Sequence, residues 1–388
     1  MVENMRGVYM KVVVAIDSFK GSLTSMEAGF AIKQGIRSVS ENIEVIVKPL
    51  ADGGEGTVEA LVAGMNGREE KIEVTGPLSE KLVCSYGILD DSKTAIIEMS
   101  GAAGITLVPE HLKNPMNTTT YGVGEVIKAA IKEGCRNFII GIGGSATNDG
   151  GVGMLQALGF EFLDENRMPV GRGGKVLGDI RYINTENHLS ELDECHFKIA
   201  CDVTNPLYGV NGAAYVYGPQ KGADPKMVEI LDQGLMNYAK VVKEQLGKDV
   251  DKVPGAGAAG GLGYGFLAFL NAKLESGIQI VLEETHLEKD IKDADLVITG
   301  EGKLDFQTAM GKAPTGVAKL AKKYGKKVIA FAGCITEGAK KCNEEGIDAY
   351  FTIVPGPVSL SEAMNKDNAK KNMIATVEQV FRLVNSIR

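Results

Sequence analysis

The sequence predicts an α/β fold: a parallel sheet with helices on both faces, and a second α/β domain inserted into the first. Three observations carry that prediction. Apolar runs of strand length alternate with amphipathic helical segments at both ends of the chain. Glycine-rich turns follow those runs, where a strand gives way to a helix. The middle of the chain has longer loops and a hairpin pattern of its own.

The elements follow in order. Val12–Ile16 is an apolar run that suits a buried parallel strand. Thr24 and Glu27 have capping-box spacing, so a helix starts near Thr24 and residues 17–22 form the connecting loop. A strand near Glu44–Val47, a glycine loop and a helix near Thr57 repeat the plan. In the C-terminal third, "DADLVITGEG" reads as strand and loop, and "APTGVAKLAKKYG" as a helix with Pro314 in its first turn. "KKVIAFAG" and "AYFTIV" are further strands, and "NMIATVEQVFRLVNSI" is a closing amphipathic helix. Between them, "EKLVCSYGILDDSKTAIIEMS" reads as a hairpin around "DDSK". Residues 11–76 and 291–388 therefore make one discontinuous domain, and 77–290 the inserted one.

Composition sets the outer bounds. A chain of 388 residues, 44% hydrophobic, is too long for one ordinary domain and has ample material for buried cores. A formal charge of -8 argues against nucleic acid or an anionic membrane as the main partner. No stretch approaches the roughly 18 apolar residues of a membrane helix. The opening "MVENMRGVYMK" lacks an apolar signal core. The six cysteines form no C-x-x-C pair and suit a reducing cytoplasm. The glycines, 49 of them, have no period; they cluster in loops beside carboxylates.

Ligands of open α/β sheets bind beyond the carboxyl ends of the strands. Five loops there share one grammar: glycine, a carboxylate, and a hydroxyl, amide or lysine. They contain Asp17 and Lys20; Asp52, Gly53, Gly54 and Glu55; Gly143, Gly144, Ser145, Asn148 and Asp149; Asp202 and Asn205; and Glu301, Lys303 and Asp305. A single aspartate after a strand is most often a cap or turn former, and Asp17 and Glu55 fit that use well. Five such loops on two domains point further. Gathered carboxylates repel unless a cation joins them, and oxygen ligands suit magnesium accompanied by phosphate. Lys20, Lys221 and Lys303 beside glycines would offset phosphate or carboxylate charge. A rival reading takes Gly141–Ala146 as a dinucleotide fingerprint with Glu161 as the ribose acid. Against it, Asn148–Gly151 would interrupt the required helix. No Walker P-loop or protein-kinase signature occurs.

Together, "DSFKGSL", "PLADGGEGT", "NTTTYGVGE", "GIGGSATNDGG", "CDVTNPLYG", "GAAYVYGPQKGA", "PGAGAAGGLGYG" and "GEGKLDFQT" resemble the bacterial type I glycerate kinases, in order along nearly the whole chain. The resemblance implies a Rossmann-like, flavodoxin-like domain carrying an inserted α/β domain, with the site in the cleft between them. It also implies a kinase that uses ATP and Mg2+ to phosphorylate D-glycerate, at the 2-hydroxyl in most bacterial members. The alternatives are 3-phosphoglycerate as product, or a dinucleotide-dependent oxidoreductase.

On this reading, Asp202 or Asp149 accepts the hydroxyl proton and the other lies nearer the metal. Lys20 meets the transferred phosphate or the glycerate carboxylate. Gly143, Gly144, Ser145, Thr147, Asn148 and Lys221 hold the nucleotide phosphates. Asp17, Asp52, Gly53, Gly54, Asn205, Glu301 and Asp305 contact substrate.

Overall fold

A computed structural model describes residues 10–51, 56–90 and 92–387. In chain order its strands are β1 (Lys11–Ile16), β2 (Glu44–Pro49), β3 (Arg68–Thr75), β4 (Lys81–Leu89), β5 (Thr94–Glu98), β6 (Asn137–Gly141) and β7 (Glu161–Leu163). They continue with β8 (Tyr182–Asn184), β9 (His196–Ala200), β10 (Lys273–Glu275), β11 (Leu296–Leu304), β12 (Lys327–Ile335) and β13 (Ala349–Thr352). The described residues form two compact units. One comprises those within 1–52, 59–65 and 281–388; the other, those within 53–58 and 66–280.

The first unit is a five-stranded parallel sheet in the order β13-β12-β11-β1-β2. Counted within the unit, this is the doubly wound order of flavodoxin-like folds, with its switch point between β1 and β11. Residues Val12–Ile16 are wholly buried, as a central strand covered on both faces requires. Thr24 caps the helix Ser25–Arg37 in the predicted box: the Glu27 amide donates to Thr24 Oγ1 at 3.3 Å, and the Thr24 amide to Glu27 Oε2 at 3.1 Å. Ala28, Ile32 and Ile36 of that helix pack with Met373, Val377 and Phe381 of the closing helix Lys366–Ser386.

One strand runs further than the sequence pattern predicts. The loop expected after Ile298 is the second half of β11, which pairs with β12 as far as Leu304. Gly300 makes this continuation feasible. It sits at φ +150°, and a Cβ there would lie 1.9 Å from the Phe331 carbonyl oxygen.

The second unit is a six-stranded mixed sheet, β10-β9-β6-β5-β4-β3, with the hairpin β7–β8 beside it. The pairs β5–β6, β6–β9 and β9–β10 are parallel, whereas β3–β4 and β4–β5 are antiparallel. Its limits differ from the expected 77 and 290. Residues Arg68–Thr75 are in register with Lys81–Leu89 as β3 against β4, which brings the start of the unit back to about residue 66. Its far end is Ile280, because the segment beyond it packs with the first unit. "GAGAAGGLGYG", from Gly255, leads into the kinked helix Ala258–Phe269.

Gly300→Ala should lower the unfolding free energy by on the order of 3 kcal/mol, since both φ and the Phe331 carbonyl oppose a side chain. Urea titration followed by circular dichroism measures it; an unchanged midpoint would refute the close β11–β12 approach.

Candidate active site

In the first unit, the carboxyl ends of β1, β11, β12 and β13 open into a pocket of about 550 Å³. Its charged lining is Asp17 and Lys20 after β1, Glu301 and Lys303 in β11, and Asp305 and Lys312 beyond it. Asp17 is buried and takes the Ser18 amide on Oδ1 at 2.6 Å. Glu301 Oε1 accepts from Thr308 Oγ1 at 2.5 Å. Asp305 is held by its own neighbourhood. Its Oδ1 accepts from the Gln307 and Thr308 amides at 2.8 and 3.2 Å, capping Phe306–Ala309, and Oδ2 lies 3.3 Å from Lys303 Nζ. Burial opposes its charge, but the Thr308 amide, Lys303 and the Gln307 amide outweigh burial and keep the carboxyl below its ordinary range. Asp305 thus serves the cap first, which accounts for it without a substrate. The apolar wall, with Phe19, Ile353, Leu360 and Met364, had no signal in the sequence pattern.

In the second unit, the strand ends of β6 and β9 carry the other candidates. Gly143 and Gly144 are exposed at the tip of the turn after β6. From Ser145 onward the turn dives into the protein, with Thr147, Asn148 and Asp149 at 0% exposure. Five chain donors surround the Asp149 carboxylate. They are the Thr120 amide at 2.8 Å, Thr120 Oγ1 at 2.9 Å, Thr119 Oγ1 at 3.4 Å, and the Gly151 and Gly153 amides at 3.3 Å each. Burial raises the carboxyl above its ordinary range, against the lowering pull of those donors.

Asp149 was expected at the metal or the substrate hydroxyl, and the structure gives it a buried, internally bonded place. With no exposed surface and donors on both oxygens, the carboxylate is engaged by the loop itself in this structure. Thr119 and Thr120, which hold it, lie in a run of three buried threonines whose role the sequence left unread.

Lys221, expected at the nucleotide phosphates, is also internally bonded. It is 2% exposed, and its Nζ donates to Ser145 Oγ at 2.7 Å and to the Thr147 carbonyl at 2.6 Å. It braces the turn from inside, whereas the side chains of Thr147 and Asn148 are buried with no hydrogen-bond partner among the described residues for Thr147 Oγ1 or for either polar atom of Asn148. Burial pushes the Lys221 ammonium down to about 7, with the charge of Asp149 pulling the other way.

Asp202, by contrast, is exposed just beyond β9, and its Oδ1 accepts from Ser276 Oγ at 2.9 Å and the Gly277 amide at 3.2 Å. Asn205 is committed to its own loop: Nδ2 donates to the Asn211 carbonyl at 2.8 Å, and Oδ1 accepts from Tyr217 at 2.6 Å. Asp52, Gly53, Gly54 and Glu55 lie outside the described residues.

The dinucleotide reading fails on geometry. The helix after β6 starts only at Val152, and Glu161 accepts from Asn184 and Asn187 in the β7–β8 region.

An ammonium with a folded pKa near 7 and an ordinary value of 10.5 binds fewer protons folded than unfolded between those values, so it makes stability rise with pH across that window. The urea midpoint should rise from about pH 7 to about pH 9 in the native chain, and less so in Lys221→Met. Equal slopes in the two proteins would show that folding does not lower the Lys221 pKa.

With this geometry in hand, the relatives are informative. The glycerate kinase family model matches residues 12–385. A glycerate kinase of Halalkalibacterium halodurans is 48% identical over 358 residues, covering 92% of this chain and 94% of that protein. A glycerate 2-kinase of Escherichia coli is 48% identical over 373 residues, covering 95% of this chain and 98% of that protein. The crystal structure of a Salmonella typhimurium LT2 protein assigned as glycerate kinase 2 superposes with a TM-score of 0.91 at 45% identity, covering 97% of this chain and 99% of that one. The chain belongs to the glycerate kinase family of phosphotransferases.

Proposed function

We propose that this protein transfers the γ-phosphoryl group of ATP, as its magnesium complex, to the 2-hydroxyl of D-glycerate, giving 2-phosphoglycerate and ADP. In a member of this family, the observation that carries the reading is the mixed charge at the ends of β1 and β11. There Lys20, Lys303 and Lys312 stand among Asp17, Glu301 and Asp305 on one pocket. Lysines suit a polyphosphate, and carboxylates suit the divalent cation that accompanies it. The choice of the 2-hydroxyl rests on the similarity to the E. coli glycerate 2-kinase.

Phosphoryl transfer asks a protein mainly for positioning and charge neutralisation. Asp202 is the proton acceptor in this proposal: its carboxylate is exposed, and Ser276 and Gly277 fix its orientation through one oxygen. Lys20 neutralises the transferred phosphate or the glycerate carboxylate. The exposed Gly143–Gly144 turn offers amides to anionic oxygens, while Lys221 and Asp149 keep that turn in shape from below.

Magnesium, when bound, supplies charge neutralisation at the phosphates. Among the described residues, no three His, Cys, Asp or Glu side chains gather closely enough to hold a metal ion by themselves. Magnesium usually takes one or two carboxylates and completes its shell with phosphate and water, so Asp17 and Glu301 are a sufficient protein contribution. A cytoplasmic setting accords with the free cysteines. No described helix is long and apolar enough to cross a membrane.

Phosphorus NMR of a mixture with ATP, magnesium and D-glycerate tests the reading. A new phosphomonoester split by one vicinal proton is expected; splitting by two would assign 3-phosphoglycerate, and no ester would refute the kinase. Asp202→Asn should lower turnover by about 10²- to 10⁴-fold with the circular dichroism spectrum intact. Native turnover in that variant would remove Asp202 from the chemistry.

A further inference from the structure

The pocket of the first unit poses a question of fit. It was expected to contact glycerate through Asp17, Glu301 and Asp305. Its volume of about 550 Å³ lies within the 300–1,000 Å³ range of pockets for drug-sized ligands. A three-carbon hydroxy acid would occupy a small part of it and match only its charged side.

The opposite side is apolar. Phe19 and Ile353 are almost fully buried beneath it, and Leu360, Ala363 and Met364 form its outer wall on one short helix, Leu360–Met364. Asn372 adds one amide, able to donate and accept at once. A flat apolar body edged by hydrogen-bonding groups and ending in a polyanion has this combination of needs, and a hydroxy acid does not. The pocket also lies at the switch point of a doubly wound sheet, where such folds bind nucleotides.

We propose that this pocket takes the purine and ribose of the nucleotide, with the base against Ile353, Leu360 and Met364 and the phosphates toward Lys20, Lys303 and Lys312. The proposal deepens the kinase reading and rests on it. It moves Asp17 and Glu301 from glycerate to the nucleotide's phosphates and their cation.

The chain carries its own reporter. Cys334 is exposed and lines the pocket, whereas Cys84, Cys135, Cys195 and Cys342 are buried and Cys201 is half-buried. Iodoacetamide labelling of the whole protein, read peptide by peptide by mass spectrometry, measures access to the pocket at Cys334. ADP at ten times its calorimetric Kd should slow alkylation of Cys334 about tenfold, the factor by which the free fraction falls. D-Glycerate at ten times its own Kd should leave the rate unchanged. Ala363→Trp, on the outer wall, should raise the ADP Kd about tenfold or more and leave KM for glycerate as it was.

Protection by glycerate in place of ADP would overturn the proposal. So would full ADP binding by calorimetry with Cys334 still reactive and Ala363→Trp without effect. Failure of the kinase reading looks different: no heat with ADP, and no phosphomonoester in the NMR experiment.

Discussion

Backbone packed directly on backbone at the carboxyl ends of parallel strands is the constraint on which both units depend. In the first unit, Gly300 lets β11 pass so close to Phe331 that the pairing with β12 survives beyond the switch point. That continuation carries Glu301 and Lys303 to the pocket mouth on a strand, a more rigid mount than a loop. In the second unit, a Cβ on Gly260 would lie 2.0 Å from the Thr147 carbonyl oxygen, and the Gly150 amide donates to the Gly260 carbonyl at 3.0 Å. The two glycine-rich segments, far apart in sequence, thereby lock into one block under the exposed Gly143–Gly144 tip. At Gly300 and Gly260 glycine is needed because a Cβ would collide with a backbone carbonyl.

A tightly folded turn leaves many amides without helix or sheet partners, and burying them unsatisfied would be costly. Asp149 meets that need. One carboxylate accepts from the Thr120, Gly151 and Gly153 amides together with two threonine hydroxyls. Burial of its charge is unfavourable, as the raised carboxyl shows, and the converging donors offset it. Lys221 answers the complementary need from the other side, donating to the Thr147 carbonyl and to Ser145. An aspartate in a glycine turn is therefore explained by the turn's own amides.

The parts of the fold written in local patterns were legible. The capping box at Thr24 and Glu27, the apolar runs of β1 and β2, the hairpin of β4 and β5, and Pro314 at the start of its helix all appear where propensity and periodicity place them. The parts settled by tertiary pairing were not. β11 was cut short because Gly300–Gly302 reads as a turn until β12 is laid beside it. β3, charged at alternate positions, shows itself as a strand only against β4. For the site the division is sharper. The sequence names the carboxylates and lysines but says nothing of burial, and burial separates exposed Asp202 and Lys20 from buried Asp149 and Lys221. The apolar wall of the pocket was silent for a related reason. Ile353, Leu360 and Met364 look like ordinary strand and helix residues until four strand ends and a late helix bring them to one side of a cavity.

The contrast between Asp149 and Asp202 bears directly on mechanism. A proton acceptor must sit within hydrogen-bond reach of its substrate and keep a carboxylate oxygen oriented for the transfer. The Asp149 oxygens are oriented but are surrounded by donors of their own chain, and burial raises the carboxyl above its ordinary range. Asp202 is exposed, and its Oδ1 accepts from Ser276 and the Gly277 amide. Of two aspartates that follow strands in similar glycine-containing loops, one has been turned inward to build the turn and the other left outward. The inward one cannot be turned outward without unpairing several amides, so folding energetics hold the two in different environments.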